Sequence, residues 1–352
     1  MSREKKIRKA LFIKTKNIGD SIILTGAISA LPATFKYVDV ICLPDSKDIF
    51  EMNPRVRHVL VIPRDLSGFK KLLSYFRIYK KIYKEHYDFL AQFSTDWRGA
   101  LCAIFLNVRL SVSRKNSRRG FFWEKSFDLI APQTSQESPI IEQDVDLLRV
   151  ANLYKKSVAP SYHLDIETSR LNQIKLWLRS HHIHLKNKLV IIHAASRWKF
   201  KEIPISSWVE VIDDLKSQQI DVVLSGSELD EKKNYEILRQ CKLKPVLTNH
   251  FSLKDTTALF KLADLVLTID SMSTHLASAV KTPVISIFGP TNERNWGPWK
   301  GKYKVIGMSA SDSEIFSCRP CGRAGCEGTK VSQCLVQLDP KVITKNARAL
   351  LN

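Results

Sequence analysis

The chain has 352 residues, a hydrophobic fraction of 44% and a charged fraction of 26%, values that exclude wholesale disorder, and a length that points to two domains. Gly (13) and Pro (14) are too scarce for a fibrous or low-complexity protein, and no run of about 18 apolar residues is present to span a membrane. The 55 Lys and Arg exceed the 35 Asp and Glu, and the formal charge of +20 calls for an acidic partner: nucleic acid, an anionic membrane surface or a phosphorylated substrate.

The N-terminus, Met1 to Lys9, is basic enough for a signal n-region. The apolar stretch after it, Ala10 to Ile13, ends at Lys14 and is too short for a signal core, so a cytoplasmic protein is expected. Seven Cys are an odd number in a large chain, which argues against a disulfide scaffold. Charge is uneven: residues 64–125 hold 14 Lys and Arg against 5 Asp and Glu.

In chain order, a buried-looking strand runs from Ile7 to Lys14, and a polar turn from Thr15 to Asp20. A helix follows from Ser21 to about Leu31, stopped by Pro32. Further strands are expected at Tyr37–Cys42, His58–Ile62, Asp88–Phe93 and Val108–Ser111. Apolar residues at 69, 72, 73, 76, 79, 82 and 83 predict a helix over Phe69–His86. Its cationic face carries Lys70, Arg77, Lys81 and Lys84, and its apolar side, with Phe69, Leu72, Leu73, Phe76 and Tyr83, is expected in the core. After a mixed stretch, four short apolar strands recur at Leu189–His193, Asp221–Ser225, Asp264–Asp270 and Pro283–Phe288, with helical patterns at Ser206–Ser217 and Glu228–Cys241 between them. This alternation predicts an α/β protein of two doubly wound, Rossmann-like domains facing a cleft, residues 1–165 and 166–352.

Each of the last four strands ends in polar or glycine residues, at the edge where open α/β sheets bind ligands. Neither Gly-x-Gly-x-x-Gly nor a P-loop pattern occurs, which removes the usual dinucleotide and mononucleotide readings. Asp20 follows Gly19 where strand meets helix: it reads either as a helix cap or as a general base at the sheet edge. Ser196, Arg197, Lys199 and Lys201 are either a solvated basic loop or a clamp for a diphosphate. Asp270 to His275 opens a helix, Thr274–Val280, and reads either as an ordinary cap or as a phosphate site at a helix N-terminus. Asp144-Val-Asp146 reads as a solvated helix face. Cys318, Cys321, Cys326 and Cys334 could hold zinc, or form a reduced structural loop.

With these residues in view, the sequence resembles the lipopolysaccharide core heptosyltransferases, glycosyltransferase family 9, and within them the heptosyltransferase III branch. Ile18 to Thr25 is similar to the family's opening Gly-Asp loop and helix. His193-Ala-Ala-Ser-Arg-Trp-Lys-Phe-Lys201 is similar to the branch's His-Pro-Thr-Ser-Arg-Trp-x-Phe-Lys. Asp270 to His275, followed by Phe288-Gly-Pro-Thr291, resembles its donor-site signature, and the Cys-rich tail from Ser317 to Leu335 resembles tails in the family. Met272 departs from a common Gly, Ala194 and Ala195 from Pro and Thr, and Ile203 from a Trp.

The resemblance implies a B-type glycosyltransferase fold. It implies an inverting transfer of L-glycero-D-manno-heptose from ADP-heptose to a lipid A–core oligosaccharide at the inner face of the cytoplasmic membrane, without metal or other cofactor. Asp20 then matches the base and Lys201 a lysine near the diphosphate. Ser196, Arg197, Asp270, Ser271, Ser273, His275, Gly289 and Thr291 match the donor site of residues 166–352. Glu231 is taken for the nucleoside, in competition with Glu228 and Asp230. Lys70, Lys71, Arg118 and Arg119 are taken to meet the acceptor in residues 1–165. Rival readings are a heptosyltransferase acting on a protein or another glycan, and a non-enzymatic nucleic-acid-binding protein, although no nucleic-acid motif occurs.

Overall fold

The computed structural model describes residues 8–133, 137–154, 158–248, 250–307 and 316–352, and the side chain of Lys71 lies outside what it describes. The chain forms two compact units, Met1–Asp165 and Ile166–Asn352.

In the first unit the elements alternate: β1 Arg8–Lys14, α1 Ile18–Ala30, β2 Phe35–Cys42, α2 Lys47–Glu51, β3 Val56–Val61, α3 Gly68–Tyr83, β4 Phe89–Gln92, α4 Trp97–Phe105, β5 Ser111–Arg114, α5 Gly120–Glu124, β6 Leu129–Ala131 and α6 Ile140–Val150. All six strands are parallel, in the order β3-β2-β1-β4-β5-β6. Helices cover both faces, which is why β1 is apolar at every central position. Ala10 and Phe12 point into one core cluster with Leu24, Ile28 and Leu148. Leu11 and Ile13 point into the other, with Ile82, Ala100 and Trp123.

The second unit follows the same plan: α7 Thr168–Ser180, β7 Leu189–His193, α8 Ile205–Ser217, β8 Asp221–Ser225, α9 Glu231–Gln240, β9 Val246–Leu247, α10 Leu253–Leu262, β10 Leu265–Ile269, α11 Met272–Ala279, β11 Val284–Ile287, α12 Glu293–Trp296, β12 Tyr303–Ile306, α13 Gln333–Val336 and α14 Pro340–Leu351. Its parallel sheet runs β12-β11-β10-β7-β8-β9. Numbered from each unit's first strand, both orders are 3-2-1-4-5-6, that of the dinucleotide-binding doubly wound fold. The core around Val190, Ile192, Trp208, Ile212 and Leu267 also takes in Ile343 and Ala347 of α14, so the C-terminal helix belongs to this unit.

Several expectations need correction. The first helix starts at Ile18, so Asn17, not Asp20, is its N-cap residue. The strand expected at Val108–Ser111 runs instead over Ser111–Arg114, paired with β4. The helix expected from Thr274 starts at Met272. Asp144 is not on a solvated face: it is fully buried, and its carboxylate receives Lys14 Nζ at 2.7 Å and Arg114 Nη2 at 3.4 Å. The apolar side of α3 is not in the core either. Phe69 is 77% exposed and Leu72 65%, while Ile82 on the opposite side is buried.

Candidate active site

In each sheet the strand order reverses direction at one place, and the loops leaving the carboxyl ends of the two strands there part to opposite faces. In the first unit that place lies between β1 and β4. The loop after β1 is tied to the loop after β4 by the Thr15 N–H, which donates to Ser94 Oγ at 2.6 Å, and by the Thr15 hydroxyl, which donates to Asp96. The chain then enters α1 with Asp20 in its first turn, where the helix dipole favours a carboxylate. Asp20 is half-buried and makes no hydrogen bond or ion pair among the described residues. Behind the loop, Lys14 is buried and neutralised by Asp144. The arrangement leaves a carboxylate available at the strand ends, able to accept a proton from a neutral ligand.

In the second unit the reversal lies between β7 and β10. The loop after β7 carries Ser196, Arg197 and a 3₁₀ turn, Lys199–Lys201. Arg197 and Lys199 are exposed. Lys201 Nζ lies 2.7 Å from Asp270 Oδ2, which brings the two loops of the switch point into contact. Asp270 is buried, its N–H bonded to Ile287 O at 2.9 Å. Ser271 caps α11, its Oγ accepting from the Ser273 N–H at 3.3 Å. Ser273 and His275 are buried, and Thr274 Oγ1 lies 3.0 Å from Ser286 Oγ of β11, which fixes the helix start against the sheet. A lysine, an arginine and the N-terminus of an eight-residue helix thus share one sheet edge. Such a set can hold a diphosphate.

The loop after β7 is braced from behind. Glu202 accepts the Ser196 N–H at 2.9 Å and pairs with Lys233 Nζ at 2.9 Å. Lys233 also donates to Ala194 O at 2.8 Å. Burial lowers the Lys233 pKa, and the Glu202 carboxylate works against that. His193, at the end of β7, is held neutral: burial lowers its pKa, and Nδ1 lies 3.2 Å from Ser225 Oγ.

Of the three acidic residues after β8, Asp230 is engaged in a capping box, accepting from the N–H and hydroxyl of Ser227 at 2.8 Å each. Glu228 is exposed, and Glu231 opens α9 half-buried.

The sequence missed a contributor in the tail. Arg319, buried, donates from Nε to Gly289 O at 2.7 Å and lies 3.4 Å from Glu293. The Gly322 N–H donates to Pro290 O at 2.8 Å, and Ser332 Oγ to Phe200 O at 2.6 Å. Leu335 packs so closely on Gly289 that a Cβ there would lie 2.5 Å from it, so any side chain at 289 would displace Leu335. The tail therefore fixes the loop bearing Thr291 and the one bearing Lys201. The only signal in the sequence was an Arg between two Cys, and nothing in it pointed to a burial partner.

Cys318 is exposed, Cys321 and Cys326 are half-buried and Cys334 is buried, its thiol pKa raised by burial. Among the described residues no three His, Cys, Asp or Glu side chains are placed to hold a metal ion. Lys70, Arg118 and Arg119 are exposed. Arg119 Nε donates to Thr95 O at 2.6 Å, so it sits at the strand-end loop after β4, whereas Lys70 lies on α3.

Comparison with known proteins agrees with this architecture. The sequence pattern described as glycosyltransferase family 9 (heptosyltransferase) matches residues 75–326. Lipopolysaccharide heptosyltransferase 3 of Escherichia coli is 27% identical over 289 residues, covering 80% of this chain and 83% of that protein. The crystal structure of a family 9 glycosyl transferase from Veillonella parvula superposes with a TM-score of 0.84 at 16% identity, over 99% of this chain and 98% of that one. The ADP-heptose LPS heptosyltransferase II of E. coli superposes with a TM-score of 0.77 at 16% identity, over 97% and 98%. The two superpositions establish a shared fold of the B-type glycosyltransferases.

Proposed function

The chain belongs to glycosyltransferase family 9, the heptosyltransferases, and from that premise we propose that it moves L-glycero-D-manno-heptose from ADP-heptose to the inner core of lipopolysaccharide. The observation that carries the reading is the Lys201–Asp270 contact beside the N-terminus of α11. A cation beside a helix N-terminus at a switch point suits a nucleoside diphosphate, and the relative in E. coli is a lipopolysaccharide heptosyltransferase.

In this reading the second unit binds the donor and the first unit the acceptor. Lys201, Arg197 and the start of α11, with Ser271 and Ser273, meet the diphosphate. Glu231 takes the ribose hydroxyls, and Gly289 and Thr291 close the site on the β11 side. The acceptor hydroxyl attacks the anomeric carbon opposite the leaving diphosphate, so configuration inverts. The bond to the β-phosphate oxygen breaks, and the charge growing on ADP is stabilised by those cations and by the helix dipole, a role a divalent cation fills elsewhere. Asp20 takes the hydroxyl proton. A carboxylate is a weak base toward an alcohol, so the transfer comes late, as the new bond forms. Lys70, Lys71, Arg118 and Arg119 attract the anionic acceptor, which holds the enzyme at the inner face of the cytoplasmic membrane.

The test is transfer itself. Purified protein is incubated with ADP-heptose and with core oligosaccharide from a strain lacking the gene. The reading expects the oligosaccharide to gain one heptose, with ADP released in equal amount and no loss of rate in a chelator. Failure to modify that oligosaccharide, with heptose passing to a protein or another glycan instead, would reject the acceptor.

A further inference from the structure

We propose that the outer faces of α3, α4 and α5 form one platform that inserts shallowly into an anionic lipid surface. The inference starts from α3. Its inner side, with Ile82 buried and Tyr75, Ile78 and Tyr79 half-buried, is enough to hold it on the sheet. A second apolar side, Phe69, Leu72, Leu73, Phe76 and Tyr83, is left in solvent. The neighbouring helices repeat the pattern. α4 buries Ala100 and exposes Trp97, Leu101, Ile104 and Phe105, the last at 58%. α5 buries Trp123 and exposes Phe121 and Phe122, the latter at 81%.

Ile82, Ala100 and Trp123 all enter one cluster on the same face of the sheet, so the three outer sides look the same way. Tyr79 Oη donates to Phe105 O at 2.8 Å and joins α3 to α4. At roughly 150–250 Å² per large side chain, the exposed groups present on the order of 1,000 Å² of apolar surface, more than the few hundred Å² usual for a monomer's largest patch.

Charge identifies the occupant. α3 contains five Lys or Arg and no acidic residue. Arg77, Lys80, Lys81 and Lys84 are exposed and make no ion pair among the described residues. A second copy of this chain on the same face would bring these cations against their like, and a neutral apolar partner would leave them unused. An anionic lipid surface takes both, since acyl chains receive the rings while headgroups receive the ammonium and guanidinium groups. The choice of a membrane agrees with a glycolipid acceptor and rests on the proposed function to that extent, whereas the exposed platform does not depend on it.

The test uses the full chain, without donor or acceptor, and vesicles of phosphatidylethanolamine and phosphatidylglycerol beside vesicles of phosphatidylcholine. Co-sedimentation should be strong with the anionic vesicles at low salt. Each basic residue near such a surface contributes about fivefold, so the triple variant Arg77→Glu, Lys81→Glu, Lys84→Glu should lose at least 10-fold in partition at low salt and little at high salt. Phe76→Ser, Phe105→Ser, Phe122→Ser should lose at least 10-fold at both. Lipids brominated on the acyl chains should quench a tryptophan signal that Trp97→Phe removes. All these residues are exposed, and an unchanged melting temperature verifies folding. Wild-type protein left in the supernatant with anionic vesicles at low salt, or serine variants that bind as well as wild type, would overturn the platform. So would a stable dimer that the serine variants dissociate. Vesicle binding without heptose transfer would fault the proposed reaction and leave the platform standing, and transfer to delipidated oligosaccharide without vesicle binding would do the reverse.

Discussion

At the switch point of the first sheet, between β1 and β4, the buried cations are neutralised inside the protein. Lys14 and Arg114 share the buried Asp144, and the group left without a hydrogen-bond partner among the described residues is the carboxylate of Asp20. At the matching point of the second sheet, between β7 and β10, the carboxylates are occupied instead. Asp270 holds Lys201, Glu202 holds Lys233 and the Ser196 N–H, and what faces solvent is Arg197 and Lys199, beside the half-buried start of α11. The strand order is the same in both. The scaffold therefore fixes where a site forms, and the loop residues fix whether it takes protons or phosphate.

The largest effect expected from disturbing this contrast is on the buried pair of the first unit. Asp144→Ala leaves Lys14 charged in a dry interior, and the chain should lose about 3–5 kcal/mol of stability in denaturant titration. The double variant Lys14→Met, Asp144→Leu should recover part of that loss. If the single variant is as stable as wild type, Asp144 is not the counter-ion on which the first unit depends.

Next is the clamp of the second unit. Lys201→Ala removes a charge-assisted contact, for which about 1.5–3 kcal/mol is usual, so ADP should bind roughly 10-fold to 100-fold more weakly by calorimetry. AMP should lose less, because the lysine is assigned to the β-phosphate. Equal losses for both nucleotides would move Lys201 away from the diphosphate.

The smallest effect is one of pH. Burial lowers the His193 pKa from its ordinary value near 6.5. The unfolded chain then binds this proton more readily than the folded one. The stabilising contribution is complete above about pH 6.5 and is lost as pH falls through the lower folded value. His193→Gln should flatten the acid side of the profile of melting temperature against pH. The same acid slope in the variant would assign it to another group.

Much of the architecture was legible because a strand covered on both faces must be apolar through its centre, as β1 and β7 are. The short edge strands were not. β9 has two residues, and in β12 Tyr303 and Lys304 are exposed, so neither carries a clear apolar run. Periodicity showed which α3 residues share a side but could not say which side was the core, since Ile78 and Ile82 are as apolar as Phe69 and Leu72. Asp144 looked like a surface residue because its partner stands 130 positions away. The loops bearing Lys201 and Asp270 were visible as polar clusters after strands. The brace from Arg319 was not, since it depends on a close fit between two distant segments.

The division of labour between the two switch points is tested most directly by Asp20→Asn, with turnover and ADP affinity measured on the same preparation. The substitution preserves shape and removes the proton acceptor. Turnover should fall by roughly 100-fold or more, the scale of general-base loss, while the dissociation constant for ADP stays at the wild-type value. Near-wild-type turnover, or a matching loss of ADP affinity, would contradict the account.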